Sequence, residues 1–170
     1  MVRMDIQTVV VGGGPVASLI VLRTRKPDAD GSVTQLPIRI GAVEATAISM
    51  GVDGAHGGRP MTHDLLASTI EALGAKVSHV VISDVEGTTF FAQVALRTDS
   101  GRAVQVDARP SDAIALAVRV DAPLFAEESV LEAATLPDFA SVEKDEEKQE
   151  LEKFHAFVEG LSPDDFNATH

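Results

Sequence analysis

The sequence predicts a single α+β domain followed by a C-terminal amphipathic helix. Short runs of alternating apolar and polar residues, bounded by Gly, Pro and Asp, are typical of antiparallel strands, and longer apolar segments between them are typical of buried helices. Near Pro137 the composition changes to Glu and Lys. We therefore expect a domain at residues 1–135 and an acidic helix and tail at residues 136–170.

The first part of the chain predicts three strands and a short helix. Strands are expected at residues 5–11, 16–24 and 34–40, and "GGGP" between the first two is typical of a hairpin turn. The segment "AVEATAISM" predicts a helix that is apolar on most faces.

The segment "THDLLASTIEALG" predicts the clearest helix of the chain, over residues 62–73. Thr62 is its expected N-cap, Asp64 lies in its first turn, and Gly74 follows its last turn. The spacing of its apolar residues predicts one apolar stripe, formed by Leu65, Leu66, Ile70 and Leu73.

The rest of the domain repeats the pattern of strands followed by a helix. Strands are expected at residues 76–84, 89–98 and 103–108, before a helix at residues 112–120 that Ser111 caps. The sequence then predicts a short strand in "APLFA" and a helical turn in "EESVLEAA".

Two segments resemble each other closely enough to predict an internal duplication. "PIRIGAVEATAISM" and "QVDARPSDAIALAV" both place a strand before an apolar helix, and a carboxylate, Glu44 or Asp112, lies at the start of each helix. Each half of the domain would then have the order strand, strand, strand, helix.

The acidic charge is concentrated in the C-terminal segment. The net charge is −12, yet residues 1–126 hold 13 acidic and 11 basic residues, whereas residues 127–170 hold 13 acidic residues and 3 Lys. Such a segment repels nucleic acid, so tight non-specific binding of nucleic acid is disfavoured. The segment is expected to be an amphipathic helix with apolar positions at Leu151, Phe154 and Leu161.

The chain has no Cys, which excludes disulfides and thiolate sites. No apolar run is long enough to span a membrane, and the first residues do not resemble a signal peptide. We therefore expect a cytoplasmic protein without a membrane association.

Charged residues at the junctions between elements are the candidates for chemistry. Carboxylates there suit a divalent cation such as Mg²⁺ or Mn²⁺, guanidinium groups suit phosphate, and a histidine suits proton transfer. On this basis the predicted metal ligands are Glu44, Asp64 and Asp112; the predicted phosphate ligands are Arg59 and Arg109; and the predicted catalytic residues are His63, Asp64, Asp107 and Asp112.

A structural interpretation of the same residues stays open. Thr62 and Ser111 suit helix caps, and acidic residues near a helix start are favoured by the helix dipole. Arg109 and Asp112 would then form a structural ion pair, and Arg-Pro before each helix would end one element and begin the next.

The sequence resembles the bifunctional nuclease family in the segments "LPIRIGAVEATAI", "RPMTHDLL", "VVISDVEGTTFFAQVAL" and "VDARPSDAIALAVRVDAPLFAEESVL". The resemblance covers most of residues 5–135, and the second and fourth segments are distinctive together. It implies an α+β domain, a homo-oligomer that is most simply a dimer, and degradation of both DNA and RNA. The family's motif residues fall on Glu44, Arg59, Thr62, His63, Asp64, Asp107, Arg109, Ser111 and Asp112.

Two functions are therefore considered. The first is a nuclease that degrades DNA and RNA with little sequence preference, assisted by a divalent cation. The second is a non-enzymatic oligomeric module that binds an anion or a protein partner through the junction loops or the acidic helix.

Overall fold

The computed structural model describes residues 1–13, 17–27, 31–54 and 58–134. The predicted helix and tail at residues 136–170, and the second half of the "GGGP" turn, lie outside these ranges. The described residues contain seven strands, β1 to β7, and four helices, α1 to α4. In chain order they are β1 (Val2–Val10), β2 (Ser18–Thr24), β3 (Gln35–Ile40), α1 (Ala42–Val52), α2 (Thr62–Ala72), β4 (Ala75–Glu86), β5 (Thr89–Thr98), β6 (Ala103–Ala108), α3 (Pro110–Val120), β7 (Leu124–Ala126) and α4 (Glu128–Ala134).

The strands form one sheet in the order β3-β2-β1-β7-β4-β5-β6. β1, β2 and β3 are antiparallel neighbours, as are β4, β5 and β6, so each set of three is a meander. The short strand β7 joins the two meanders, antiparallel to β1 and parallel to β4. The predicted α+β class is confirmed, and the hairpin expected around "GGGP" is present as the β1–β2 pair. The duplication itself stays a prediction, although each meander is followed by a helix.

The helices α1 and α3 pack side by side. α1 also contacts β1 and β2, and α3 contacts β4 and β5. Small residues allow the close approach: a Cβ added at Gly51 would lie 2.5 Å from Cγ2 of Val118, closer than packed side chains allow. Each half of the sheet is thus covered by the helix that follows it in the chain.

The helix α3 is the centre of the core. Its interior residues Ala113, Ile114, Ala115, Leu116 and Ala117 are all buried, because α3 contacts α1, α2 and the sheet. An amphipathic helix would keep one polar face in solvent, whereas α3 has polar residues only at its ends. Those ends therefore hold the charges that α3 can offer to a site.

Two expected helix caps differ in the structure. α3 begins two residues earlier than predicted, with Arg109 as N-cap and Pro110 at the first helical position, and Ser111 is buried inside the first turn. Pro suits this position because its missing N–H would have no partner in the helix anyway. The N-cap of α2 is Met61, and Thr62 is its first helical residue.

The predicted apolar stripe of α2 is largely exposed to solvent. No residue of α2 is buried, and Leu65, Leu66 and Leu73 are 62%, 41% and 78% exposed. The sequence pattern correctly predicts a helix, and its apolar stripe faces solvent in the structure of this one chain. One helix of the described chain therefore presents leucines outward.

Among the helices of the described residues, none has the length and apolarity that crossing a membrane would require.

We expect Ile114→Ala to lower the free energy of unfolding by about 2–5 kcal/mol, because Ile114 is fully buried and its removal leaves a cavity in α3. Val43→Ala removes an apolar side chain that is 80% exposed, and it should change stability by less than about 0.5 kcal/mol. Urea unfolding followed by circular dichroism measures both. Equal effects of the two substitutions would contradict the packing described for α3.

Candidate functional site

Three helices begin at the same place in the structure. Glu44 lies in the first turn of α1, His63 in the first turn of α2, and Asp112 in the first turn of α3. Arg109, the N-cap of α3, lies between Glu44 and Asp112. We call these four residues the polar cluster. Because α1 and α3 pack side by side, the first turns of these two helices lie next to each other.

Arg109 binds both carboxylates of the polar cluster. Its Nε donates to Oδ2 of Asp112 at 2.8 Å and its Nη2 donates to Oδ1 at 3.2 Å, which is a two-point contact. Its Nη1 donates to Oε1 of Glu44 at 3.1 Å. Hydrogen bonding to Arg109 is the main reason that the pKa of Asp112 lies below its ordinary value, and burial partly opposes it. The same contact raises the pKa of Arg109.

His63 faces Asp112 from the helix α2. Its Nε2 lies 3.3 Å from Oδ1 of Asp112, and its side chain is only 13% exposed. A carboxylate in this position orients an imidazole and favours the tautomer that donates from the facing nitrogen. The contact with His63 also helps to lower the pKa of Asp112. The cluster thus contains a carboxylate–imidazole pair beside a guanidinium that is 66% exposed.

A glycine makes room for Glu44. A Cβ added at Gly41, the N-cap of α1, would collide with the carboxylate of Glu44. Glu44 therefore folds back over its own helix start, where Arg109 meets it. Gly41 is not among the predicted site residues, and its position directly before the helix was the available signal.

Asp64 belongs to a separate contact. Its Oδ1 accepts from Nε of Arg119 at 2.6 Å, and its Oδ2 accepts from the backbone N–H of Met61 at 2.8 Å. Arg119 is 8% exposed and also donates to the carbonyl oxygen of Ala115 at 2.7 Å. The sequence analysis did not nominate Arg119, because a cation in the last turn of a helix is ordinary.

The two polar contacts of α2 hold it across α3. His63 meets Asp112 near the start of α3, and Asp64 meets Arg119 near its end. These neighbouring residues of α2 therefore point toward opposite ends of α3. The ion pair between Asp64 and Arg119 holds the first turn of α2 against α3, and this contact also places the adjacent His63.

The two remaining candidates lie outside the polar cluster. Arg59 is exposed in the segment before α2, and Asp107 is exposed on the edge strand β6 opposite Gln93. In the part of the chain that the structure describes, neither Arg59 nor Asp107 forms an ion pair. The structure thus brings together four of the seven predicted site residues.

The predicted metal ligands do not form one set of donors in this arrangement. Glu44 and Asp112 share Arg109, whereas Asp64 binds Arg119. Within residues 1–13, 17–27, 31–54 and 58–134, no three His, Asp or Glu side chains come together in a way that could hold a metal ion. Two carboxylates that both accept hydrogen bonds from one guanidinium do not match the several free oxygen ligands that Mg²⁺ or Mn²⁺ requires.

Comparison with known proteins identifies a domain over most of the described chain. Residues 21–138 match the family described as the bifunctional nuclease domain. Two uncharacterized proteins, from two strains of Mycobacterium tuberculosis, are each 42% identical over 157 residues, covering 88% of this chain and 89% of the relative. Bifunctional nuclease 2 of Oryza sativa subsp. japonica is 31% identical over 107 residues, covering 62% of this chain and 32% of the rice protein.

We expect Asp112→Asn to make protein stability less sensitive to acid. The lowered pKa means that ionised Asp112 stabilises the folded state above the ordinary carboxyl pKa of about 3.9, and that this contribution is lost as the pH falls through the lower folded value. The unfolding free energy of the native protein should thus fall more steeply below about pH 5 than that of the variant. Urea midpoints measured across this range test the difference.

The matched control is Asp107→Asn, because Asp107 is exposed and outside the polar cluster. Its acid profile should follow that of the native protein. A profile for Asp112→Asn that is parallel to the native one would show that the Arg109 contact is absent in solution.

Proposed function

This chain belongs to the bifunctional nuclease family, and on that premise we propose that it is a nuclease that hydrolyses phosphodiester bonds of DNA and RNA at the polar cluster. The observation that supports the site is the Asp112–His63 pair beside the exposed Arg109. An oriented imidazole and a guanidinium are the groups that proton transfer and phosphate binding require.

Each residue of the polar cluster has a distinct proposed role. Arg109 binds a phosphate oxygen and offsets the negative charge that grows in the transition state. Asp112 accepts from Nε2 of His63, which leaves Nδ1 of the imidazole to take a proton from water. The water oxygen bonds to phosphorus as the bond to the leaving sugar oxygen breaks; the leaving oxygen takes a proton from solvent, and His63 returns its proton to solvent. Water as nucleophile requires no 2′-hydroxyl, so the same residues serve DNA and RNA.

Glu44 and Gly41 position Arg109 in this proposal. Glu44 holds one edge of the guanidinium while Asp112 holds the other, so the orientation of Arg109 is set before a phosphate arrives. With neutral His63, the cluster carries two negative charges and one positive charge. Three of the five N–H donors of Arg109 take part in these contacts, and in this proposal the other two bind a phosphate oxygen.

The divalent cation stays a prediction. Since the described carboxylates do not fit an ion, we assign it no step in the proposed hydrolysis. Nuclease assays with and without EDTA test the cation directly.

The binding-module function is the second candidate. It is favoured because the charged groups of the polar cluster already have partners within the cluster. Arg109 already binds two carboxylates, and Asp112 already binds Arg109 and His63, as in a structural ion-pair network. Such a network would fix the starts of three helices without chemistry. The two functions predict different results for the substitutions below.

We expect His63→Ala to reduce hydrolysis of single-stranded DNA and RNA by about 10²–10⁴-fold, because it removes the general base. Arg109→Ala should reduce it by a similar factor through loss of phosphate stabilisation. Cleavage of labelled oligonucleotides measures the rates, and thermal melts confirm that each variant is folded.

Asp5→Asn is the control, since it removes another carboxylate–guanidinium pair, with Arg25, on β1. It should leave cleavage unchanged. Equal rates for the native protein and the folded His63→Ala and Arg109→Ala variants would point to a contaminating nuclease. A folded native protein without cleavage, with or without Mg²⁺ or Mn²⁺, would favour the binding module.

We also propose that the protein is a homodimer in which α2 contributes to the interface. Its leucines are exposed although their spacing is that of a buried stripe. A second copy of the chain would remove this apolar surface from water, and the polar cluster lies beside the same helix.

We expect the native protein to have about twice the chain mass of 17.9 kDa in light scattering, and Leu65→Lys with Leu73→Lys to shift it toward the monomer. Val33→Lys, at an exposed apolar residue between β2 and β3, is the matched control and should not change the mass. A monomeric native protein would refute the dimer.

A further inference from the structure

A second concave site lies beside the polar cluster, on the other side of the first turn of α2. It is a cleft of about 590 Å³ between the end of α1, the start of α2 and the end of α3, within the size range of small-molecule sites. Its lining includes the apolar residues Met50, Pro60, Ala67 and Val118 and the polar residues Arg59 and Ser68.

Two charged residues in the lining of the cleft, Asp64 and Arg119, already form an ion pair with each other. The distance between Oδ1 of Asp64 and Nε of Arg119 is 2.6 Å, and Arg119 also donates a hydrogen bond to the carbonyl oxygen of Ala115. Arg119 is nearly buried, so this pair is part of the fold. It is consequently not the group that would attract an anion from solvent.

Arg59 is the exposed cation of the cleft. In the part of the chain that the structure describes, its side chain forms no hydrogen bond or ion pair. Gly54 and Gly58, with φ of 62° and 76°, also line the cleft.

The chemistry of the cleft fits one nucleotide. Apolar side chains with a thioether among them pack well against the face of a base, the hydroxyl of Ser68 offers a donor and an acceptor to its edge, and Arg59 suits a phosphate. A nucleotide carries a flat base and an anionic phosphate, and the cleft has apolar residues for the first and a guanidinium for the second.

The cleft and the polar cluster are close enough to serve one strand. His63 and Asp64 are neighbours in the chain, and they contact α3 at Asp112 and Arg119, about 10 Å apart along the helix axis. We infer that the cleft binds a nucleotide unit of the substrate strand, with its base between Met50, Ala67 and Val118 and its phosphate on Arg59, next to the phosphodiester at Arg109. This inference deepens the proposed nuclease function and rests on it for the identity of the strand.

Binding of a mononucleotide tests the cleft without any need for cleavage. We expect adenosine 5′-monophosphate to bind the full chain in isothermal titration calorimetry, and Arg59→Ala to weaken its Kd by about tenfold or more. Ala67→Phe, which fills the cleft from α2, should weaken it similarly. Arg102→Ala, at an exposed arginine in the β5–β6 turn, is the control and should leave Kd unchanged.

The outcomes separate the cleft from the proposed nuclease activity. Nucleotide binding that depends on Arg59 and Ala67, in a protein without cleavage, would support the cleft and refute the nuclease. Absence of binding, or binding that Arg59→Ala and Ala67→Phe do not affect, would overturn the cleft whatever the nuclease result. Inorganic phosphate that binds as tightly as the nucleotide would overturn the role of the base.

Cleavage kinetics provide a second readout. If the cleft binds part of the substrate, Arg59→Ala should raise KM for oligonucleotides by about tenfold while kcat changes less, in contrast to His63→Ala, which should lower kcat. An Arg59→Ala variant with native KM would contradict the inference.

Discussion

The burial of α3 on all sides is the constraint on which the rest of the structure depends. A helix made of Ala, Ile and Leu in its interior can be enclosed by α1, α2 and the sheet, but its polar ends must then find partners. Arg109 and Asp112 meet these needs at one end, and Arg119 meets them at the other. Both the polar cluster and the cleft are built on these two ends.

The helix α2 connects the two sites because adjacent residues of its first turn take part in each of them. It buries none of its own residues, and its first turn is held by His63 on Asp112 and by Asp64 on Arg119. A helix held in this way is sensitive to the ionisation of its partners. The same lack of buried surface leaves its leucines available to a second copy of the chain.

Residue type and position in the chain predicted the location of some site residues correctly and that of others wrongly. Glu44, His63, Arg109 and Asp112 were nominated because they stand at element junctions, and the structure brings these four together. Asp64 was nominated for the same reason, yet it binds Arg119 instead. Thr62 and Ser111 suit caps by residue type, but the fixed φ of Pro110 moves the start of α3 and leaves Ser111 inside.

The sequence by itself determined the class, the order of elements and most of their boundaries, because period-2 and period-3.6 patterns and turn residues act over a few positions. Only the tertiary structure decided that α1 and α3 begin side by side, that His63 and Asp64 point to opposite ends of α3, and that the stripe of α2 faces outward. These features depend on which faces pack together over separations of about 50 to 65 residues in the chain, and no local pattern encodes that choice.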